Sequence, residues 1–434
     1  MILFKDFTII DLSESKPKVA DVLVDDNGTI VQINENIQIE NAKTIWGSKR
    51  VLTLGFCDIH CNFGEPGLEY RETVKTGSEA ALAGGFTSVA LFPNTRPVID
   101  SLQAFEYLRS KTEHSPIEIE ILAALSKDCG GELMSPVKSL MDFGVKGFTD
   151  GEKPVQNSLF MKHVMEYISM YGRLILSHPE DKILSGNGVL NESYEAQRLG
   201  LSGIPKATEE IFIHRDCSLL KNTGGKLHFT NVTTKQGIEA LEFHKSKGLD
   251  ITASVAPFYF TLTDSDLDWY NTSFKLSPPL RSPEDVEAVR SALKSGILDF
   301  IVSSHTPHSE IEKTTDFTSA PIGAISLETV FSVSYMNLVK TGIISLNQLL
   351  EKLVSAPRKR LEIPVPEIRI GSQANFTVID LYESRAVTKE SIKSKSKNTP
   401  FLNKKLDTSI DMVFVKNKLH TFHETASSDY SNNS

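Results

Sequence analysis

Four cysteines in 434 residues, with no Cys-x-x-Cys spacing, exclude a disulfide framework and a thiolate-clustered zinc module. Cys57, Cys61, Cys129 and Cys217 read as reduced thiols of a cytoplasmic protein. Cys57 and Cys61, four apart on one expected strand, face the same way as core thiols. Positive charge is also short: 46 Lys and Arg against 55 Asp and Glu give a net charge of −9. With no basic cluster to offset it, that charge excludes a general nucleic-acid binder. No run approaches the roughly 20 apolar residues of a membrane-spanning helix. The start, Met1 to Phe7, lacks the basic segment and long apolar core of a secretory signal. What remains is the ordinary composition of a globular protein, 40% hydrophobic and 23% charged.

The chain divides by pattern into three parts. Residues 1–50 hold short strands at 4–11, 21–24 and 29–33, with a hairpin signal at Asp26-Asn27-Gly28. From 51 to 361, short apolar strands alternate with helical stretches. The strands are expected at 51–60, 88–93, 117–124, 145–150, 173–178, 226–231, 250–256 and 300–305. Helices are expected between them at 73–83, 158–171, 237–246 and 283–294, among others. Alternation implies parallel pairing, and eight such units imply a closed (β/α)8 barrel of the TIM type. Strands return at 375–381, 412–415 and 418–423, so residues 1–50 and 362–424 are expected to form one composite β-sandwich. Residues 425–434, rich in Ser and Asn, read as a frayed, disordered tail.

In such a barrel, catalytic groups sit at the C-terminal ends of the strands. Unusual polar residues fall there: His60 and Asn62, Asn94, Asp150, His178, His228 and Asn231, Ser304, His305 and His308. A His-x-His pair ending a strand would place two imidazoles on one side, because side chains alternate. Here the second imidazole is the amide of Asn62.

The stretch Asp58-Ile-His-Cys-Asn-Phe-Gly-Glu-Pro-Gly67, followed by Glu69-Tyr-Arg-Glu-Thr73 and Gly84-Gly-Phe-Thr87, resembles the signature of dihydroorotases of the amidohydrolase superfamily. Pro93-Asn-Thr-Arg-Pro-Val98, His178-Pro-Glu-Asp181, Gly200-Leu-Ser-Gly-Ile-Pro205, Ser277-Pro-Pro-Leu-Arg281, Ser304-His-Thr-Pro-His308, Ala320-Pro-Ile-Gly323 and Lys397-Asn-Thr-Pro-Phe401 extend it over nearly the whole chain. The resemblance implies a zinc-dependent barrel flanked by a β-sandwich, a role in pyrimidine biosynthesis, a homodimer, and assembly with aspartate transcarbamoylase. It also implies site roles residue by residue. His60, Asp150 and His178 match retained metal ligands. Asn62 and Asn231 stand where the family has histidines. Ser304 replaces the aspartate that both ligates metal and shuttles the proton, and serine cannot cycle a proton near neutral pH. Gly64 replaces the arginine that grips the substrate carboxylate, while Asn94 and His308 remain as carboxylate contacts. Ser277 stands where an asparagine contacts the ring, and Pro257-Phe258-Tyr259 replaces a Pro-His-His rim.

Loss of an outer-shell partner alone costs about 10–100-fold in metal affinity or activity. Three lost ligands and the lost acid/base group, itself worth about 10²–10⁴-fold, predict a homologue that is inactive or strongly impaired. Such a chain is expected to act as a structural or regulatory partner, with zinc absent or at most one metal weakly bound. The alternative is an active cyclic-amide hydrolase, on dihydroorotate, allantoin or a hydantoin, with a reduced site of His60, Asp150 and His178. A third reading is a binding module that uses the old pocket for another small ligand. Cys61, adjacent to His60 and facing the other way, is set aside as a ligand, and Asp150 is preferred to Lys146 as the bridging group.

Overall fold

The computed structural model describes residues 1–14, 16–267 and 270–422, so the expected tail and the end of the last expected strand, His423, lie outside the described residues. The N-terminal segment supplies β1 (Ile2–Ile10), β2 (Lys18–Val24), β3 (Ile30–Asn34), β4 (Lys43–Trp46) and β5 (Val51–Leu54). The barrel strands follow: β6 (Phe56–Cys61), β7 (Phe86–Leu91), β8 (Glu118–Ile121), β9 (Gly147–Phe148) and β10 (Leu174–Ser177). A two-stranded insertion, β11 (Leu190–Asn191) and β12 (Gly203–Ile204), precedes β13 (Lys226–Phe229), β14 (Ile251–Val255) and β15 (Phe300–Ile301). The chain ends on β16 (Phe376–Asp380), β17 (Arg385–Ala386), β18 (Lys405–Leu406), β19 (Ser409–Val415) and β20 (Lys418–Thr421).

Parallel pairing runs β6-β7-β8 and β15-β14-β13-β10-β9. Two single parallel bridges, Ala123 to Phe148 and Cys61 to His305, join these arcs at both seams. Eight parallel strands therefore close a barrel. Cys57, Ile59, Ala90, Phe92, Leu122, Leu174, Leu176, Phe300 and Val302 fill its interior. Helices cover the outside where the periodicity predicts them: Val74–Ala83, Ser158–Ser169, Lys235–Ser246 and Pro283–Ser295. Their starts are fixed by capping side chains, as where Asn157 accepts from the Leu159 and Phe160 amides. Among the described residues, no helix is long and apolar enough to cross a membrane.

The two chain ends build one eight-stranded, sandwich-like sheet, ordered β20-β19-β16-β5-β1-β2-β3 with β4 on β1. Phe4 meets Phe376 and Phe414 edge-on in its core, at 5.5 and 6.0 Å. The strand expected at 51–60 is in fact two. Val51–Leu54 pairs with β1 and β16, and the chain enters the barrel at Gly55. Gly55 is required there because a Cβ would lie 2.2 Å from the Thr87 hydroxyl and 2.3 Å from the Asn375 amide oxygen. Arg358, buried completely, seals the crossing by donating to the carbonyls of Gly55 and Phe56 and to the Thr87 hydroxyl.

Candidate active site

His60 owes its orientation to a bulge. Between Asp58 and Cys61 the β6 strand carries one residue more than its partner between Val89 and Leu91. The extra residue flips the alternation, as bulges beside active sites do. Cys57 therefore faces the barrel interior and Cys61 the outer core, so the two do not face the same way. Cys61 Sγ lies 3.6 Å from the Ala90 carbonyl, on the side away from the site. His60 turns inward and stacks on Phe92 at 4.2 Å. Both its ring nitrogens are buried without a partner, and burial, with the neighbouring His178, pushes its pKa down to about 3. Asp58 holds the bulge by accepting from the His60 and Ser303 amides and the Ser303 hydroxyl. Burial raises the Asp58 pKa to about 7 against those hydrogen bonds.

The remaining strand ends converge on the same mouth. Asp150, past β9, has one carboxylate oxygen on the Ser126 amide at 3.0 Å and the other on the Ser126 hydroxyl. Burial raises its pKa to about 6. His178, past β10, has Nε2 3.1 Å from Ser277 Oγ and 3.4 Å from a Glu180 oxygen, while Nδ1 is unpartnered. Asn231, past β13, donates Nδ2 to Ser304 Oγ at 2.9 Å and accepts the Ala256 amide on Oδ1 at 3.1 Å. Asn231 and Ser304 both hold left-handed backbone, φ 52° and 54°, a conformation concentrated at functional sites. Asn62 reaches Thr306 Oγ1 at 3.5 Å. Asn94 donates to the Asp150 carbonyl at 3.1 Å.

Two other histidines are structural. His228 points at Thr252 and Ser254 hydroxyls at 2.9 and 3.0 Å and stacks on Phe300. His305 lies with Nε2 3.5 Å from a Glu72 oxygen. Lys146 sits at the entry of β9, the end opposite the mouth, next to Glu120 and Glu362. At the rim, Phe258 stacks on Phe401 and Tyr259 donates to the Pro278 carbonyl, which makes the wall apolar.

Two features of the site carry no motif signal. Glu152, two residues past Asp150, accepts the Thr306 hydroxyl at 3.0 Å, and burial raises its pKa. Lys313 lies behind it, bonded to the Thr272 and Pro321 carbonyls, its pKa lowered by burial to about 7. The mouth retains a cavity of about 120 Å³ lined by Asn62, Gly64, Asn94, Glu152, Thr306 and His308, among others. Ligand sites more often span roughly 300–1,000 Å³.

The donor set does not fit a two-zinc centre. Zinc is held by imidazole, thiolate and carboxylate, whereas Asn231 and Ser304 are neutral and bonded to each other. Both Asp150 oxygens are engaged by Ser126. Among the described residues, three potential ligand groups with all ligand atoms within 4.8 Å of one another occur at Asp380, Glu383 and Asp411, in the terminal sheet and not at the mouth. Of the retained ligand residues, His60 keeps both ring nitrogens open and His178 keeps Nδ1 open.

Known proteins agree with this architecture. Residues 49–237 match the family model described as dihydro-orotase-like. The dihydroorotase of Thermoanaerobacter sp. (strain X514) is 38% identical over 419 residues, 96% of each chain. That of Acetivibrio thermocellus is 37% identical over 95% of this chain and 97% of its own. Among solved structures, the L-hydantoinase (dihydropyrimidinase) from Arthrobacter aurescens superposes with TM-score 0.85 at 22% identity, covering 96% of this chain and 95% of that one. The dihydropyrimidinase from Brevibacillus agri NCHU1002 gives 0.82 at 21%, over 96% and 94%. The hydantoinase likenesses show the barrel fold with its β-module, and the near full-length identity to dihydroorotases carries the assignment further: this chain belongs to the dihydroorotase family.

Proposed function

We propose that this chain is a dihydroorotase homologue whose ring-hydrolysing centre is disabled, serving as a structural or regulatory partner of aspartate transcarbamoylase. Membership of the family assigns the mouth to dihydroorotase-type chemistry on a small pyrimidine intermediate. The observation that carries the disabled reading is the 2.9 Å hydrogen bond from Asn231 to Ser304. Those are the positions where the resemblance places a metal-binding imidazole and the proton-shuttling carboxylate. A hydroxyl tied to an amide supplies neither an ion's charge nor a base near neutral pH. At Gly64 the family's arginine fork is absent, and Arg71, which lines the same cavity, is engaged with Glu312.

The partner role, homodimerisation and a cytoplasmic location follow from the family resemblance, and the four buried free thiols accord with a reducing compartment. Metal analysis of the purified chain, run with a dihydroorotate ring-opening assay and co-elution with aspartate transcarbamoylase, tests the reading. Stoichiometric zinc with ordinary turnover would end it.

A second reading draws on the three unpartnered ring nitrogens of His60 and His178. Buried polar atoms rarely go unsatisfied, and one ion held there would give a reduced, single-metal cyclic-amide hydrolase. It requires one tightly bound metal and activity that disappears in His178→Ala.

A further inference from the structure

Strands β17 and β18 form an antiparallel pair, yet the chain between them, residues 387–404, leaves that pair and crosses to the barrel mouth. Irregular loops longer than about 12–15 residues inside a compact fold usually carry a function. This one contains Lys397-Asn-Thr-Pro-Phe401. Upstream, two carboxylates tie it down. Glu328 accepts the Lys393 and Ser394 amides at 2.8 and 3.0 Å, and Glu72 accepts the Lys395 amide at 3.0 Å and the Ser394 hydroxyl. Ser396 donates to the Arg71 carbonyl at 2.8 Å. Downstream, Phe401 stacks on Phe258 of the rim at 5.6 Å.

Between these anchors Asn398 is buried in the wall of the mouth. Its Oδ1 accepts the His308 amide at 3.1 Å, and its Nδ2 donates to the Thr306 and Gly323 carbonyls at 3.2 and 3.1 Å. One acceptor and two donors in a single plane are what a side-chain amide offers, and a carboxylate or a hydroxyl does not. The bonds close a circuit, because the Ile322 carbonyl, next to Gly323, lies 2.7 Å from His308 Nε2. Thr306, His308 and Ile322 all line the cavity. The two loops are also joined by the Thr306 amide on the Ala324 carbonyl at 2.8 Å. Loss of the Asn398 amide therefore frees His308 without opening the barrel seam.

We propose that Asn398 is a positioning residue of the mouth: through it the excursion 387–404, and not the barrel alone, sets where the wall of Thr306 and His308 stands. Asn398 touches no reacting atom and acts through those two residues. The inference goes beyond the disabled-centre reading and holds whether or not the mouth opens a ring.

Amide hydrogen exchange of the full chain, labelled with nitrogen-15 at its 11 histidines, tests it, with the amide of His228 in the barrel interior as reference. Asn398→Ala is expected to speed exchange at His308 about tenfold or more relative to His228, the scale of one buried group left unpaired. Ser396→Ala removes the bond to the Arg71 carbonyl but keeps Asn398, and should leave that ratio at its wild-type value. Asn398→Asp keeps an oxygen for the His308 amide and loses both donors. It should unfold more easily than wild type and still protect His308 better than the alanine variant does. An unchanged ratio in Asn398→Ala, an equal change in Ser396→Ala, or no recovery in Asn398→Asp would make Asn398 a fold-stabilising side chain only, and each overturns the proposal. Should Asn398→Ala not fold, Asn398→Ser, too short to span all three partners, is read in its place.

Discussion

Replacing Asn231 by alanine asks whether the former ligand position now works as a structural clasp. Asn231 is fully buried, and its amide joins the Ser304 hydroxyl at 2.9 Å to the Ala256 amide at 3.1 Å. Truncation strands both groups, and a buried polar group left unsatisfied costs about 1–3 kcal/mol. Alanine must also adopt φ 52°, which asparagine tolerates and alanine resists by about 1 kcal/mol. The sum is roughly 3–7 kcal/mol, with the lower end applying if water refills the gap. Total stabilities lie near 5–15 kcal/mol, so the loss is large. Asn231→Gly keeps the two stranded groups but relaxes the backbone, so it should recover about 1 kcal/mol of the alanine cost. Urea unfolding of both variants, with and without chelator, measures these differences. A clasp predicts the same cost in both conditions. Variants within about 0.5 kcal/mol of wild type, or a cost that vanishes with chelator, would refute the reasoning and restore Asn231 as an ion ligand.

Three further outcomes are expected. Gly64→Arg should not rebuild the family's carboxylate grip and should lower the melting temperature. Gly64 sits at φ +74° with a Cβ position 2.8 Å from the Leu68 carbonyl, a strain of about 1–2 kcal/mol; an unchanged melting temperature would contradict this. Asp58 holds its proton more tightly in the folded chain, with a pKa near 7 against an ordinary 3.8, so its contribution is present at low pH and is lost as pH rises from about 4 to about 7. Asp58→Asn should lack that loss, and unfolding curves of the two proteins that stay parallel across this range would sink the assignment. Arg358→Met strands the carbonyls of Gly55 and Phe56 at the sheet-to-barrel crossing and should cost about 2 kcal/mol or more. Chemical unfolding of the variant, compared with an exposed arginine control such as Arg369→Met, is the check.

The barrel was legible because alternating apolar strands and amphipathic helices are local patterns, and so was the crowding of polar residues at strand ends. Three features were not. The division of the first apolar run at Gly55 depends on the Thr87 and Asn375 side chains, from a different strand and from the far end of the chain. The bulge that turns His60 inward and separates Cys57 from Cys61 is a pairing offset against Val89–Leu91, and period-two alternation along one strand cannot report it. Glu152 follows the aspartate that attracts attention and has no spacing signature; only the fold brings Thr306 to it. Ser277, which stands where the resemblance places a ring contact, lies within hydrogen-bond reach of His178, a pairing with no sequence signal.

These substitutions share one electrostatic logic. An aspartate and several histidines gathered around zinc are held in register by the ion; without it, each buried group needs another partner or loses stability. Here Asn231 bonds Ser304, Asp150 bonds Ser126, His178 meets Ser277, and Asn62 approaches Thr306. Each contact joins the group to a hydroxyl or amide of the chain, although His178 keeps Nδ1 unpartnered and has Glu180 3.4 Å from its Nε2. A barrel altered only by random loss of ligands would be expected to leave stranded donors at the replaced positions. Asn62, Asn231 and Ser304 each have a partner instead, and the unpartnered ring nitrogens lie on histidines that are kept, His60, His178, His305 and His308. That division, neutral pairs at the replaced positions and open nitrogens at the kept ones, supports the proposal of a disabled centre.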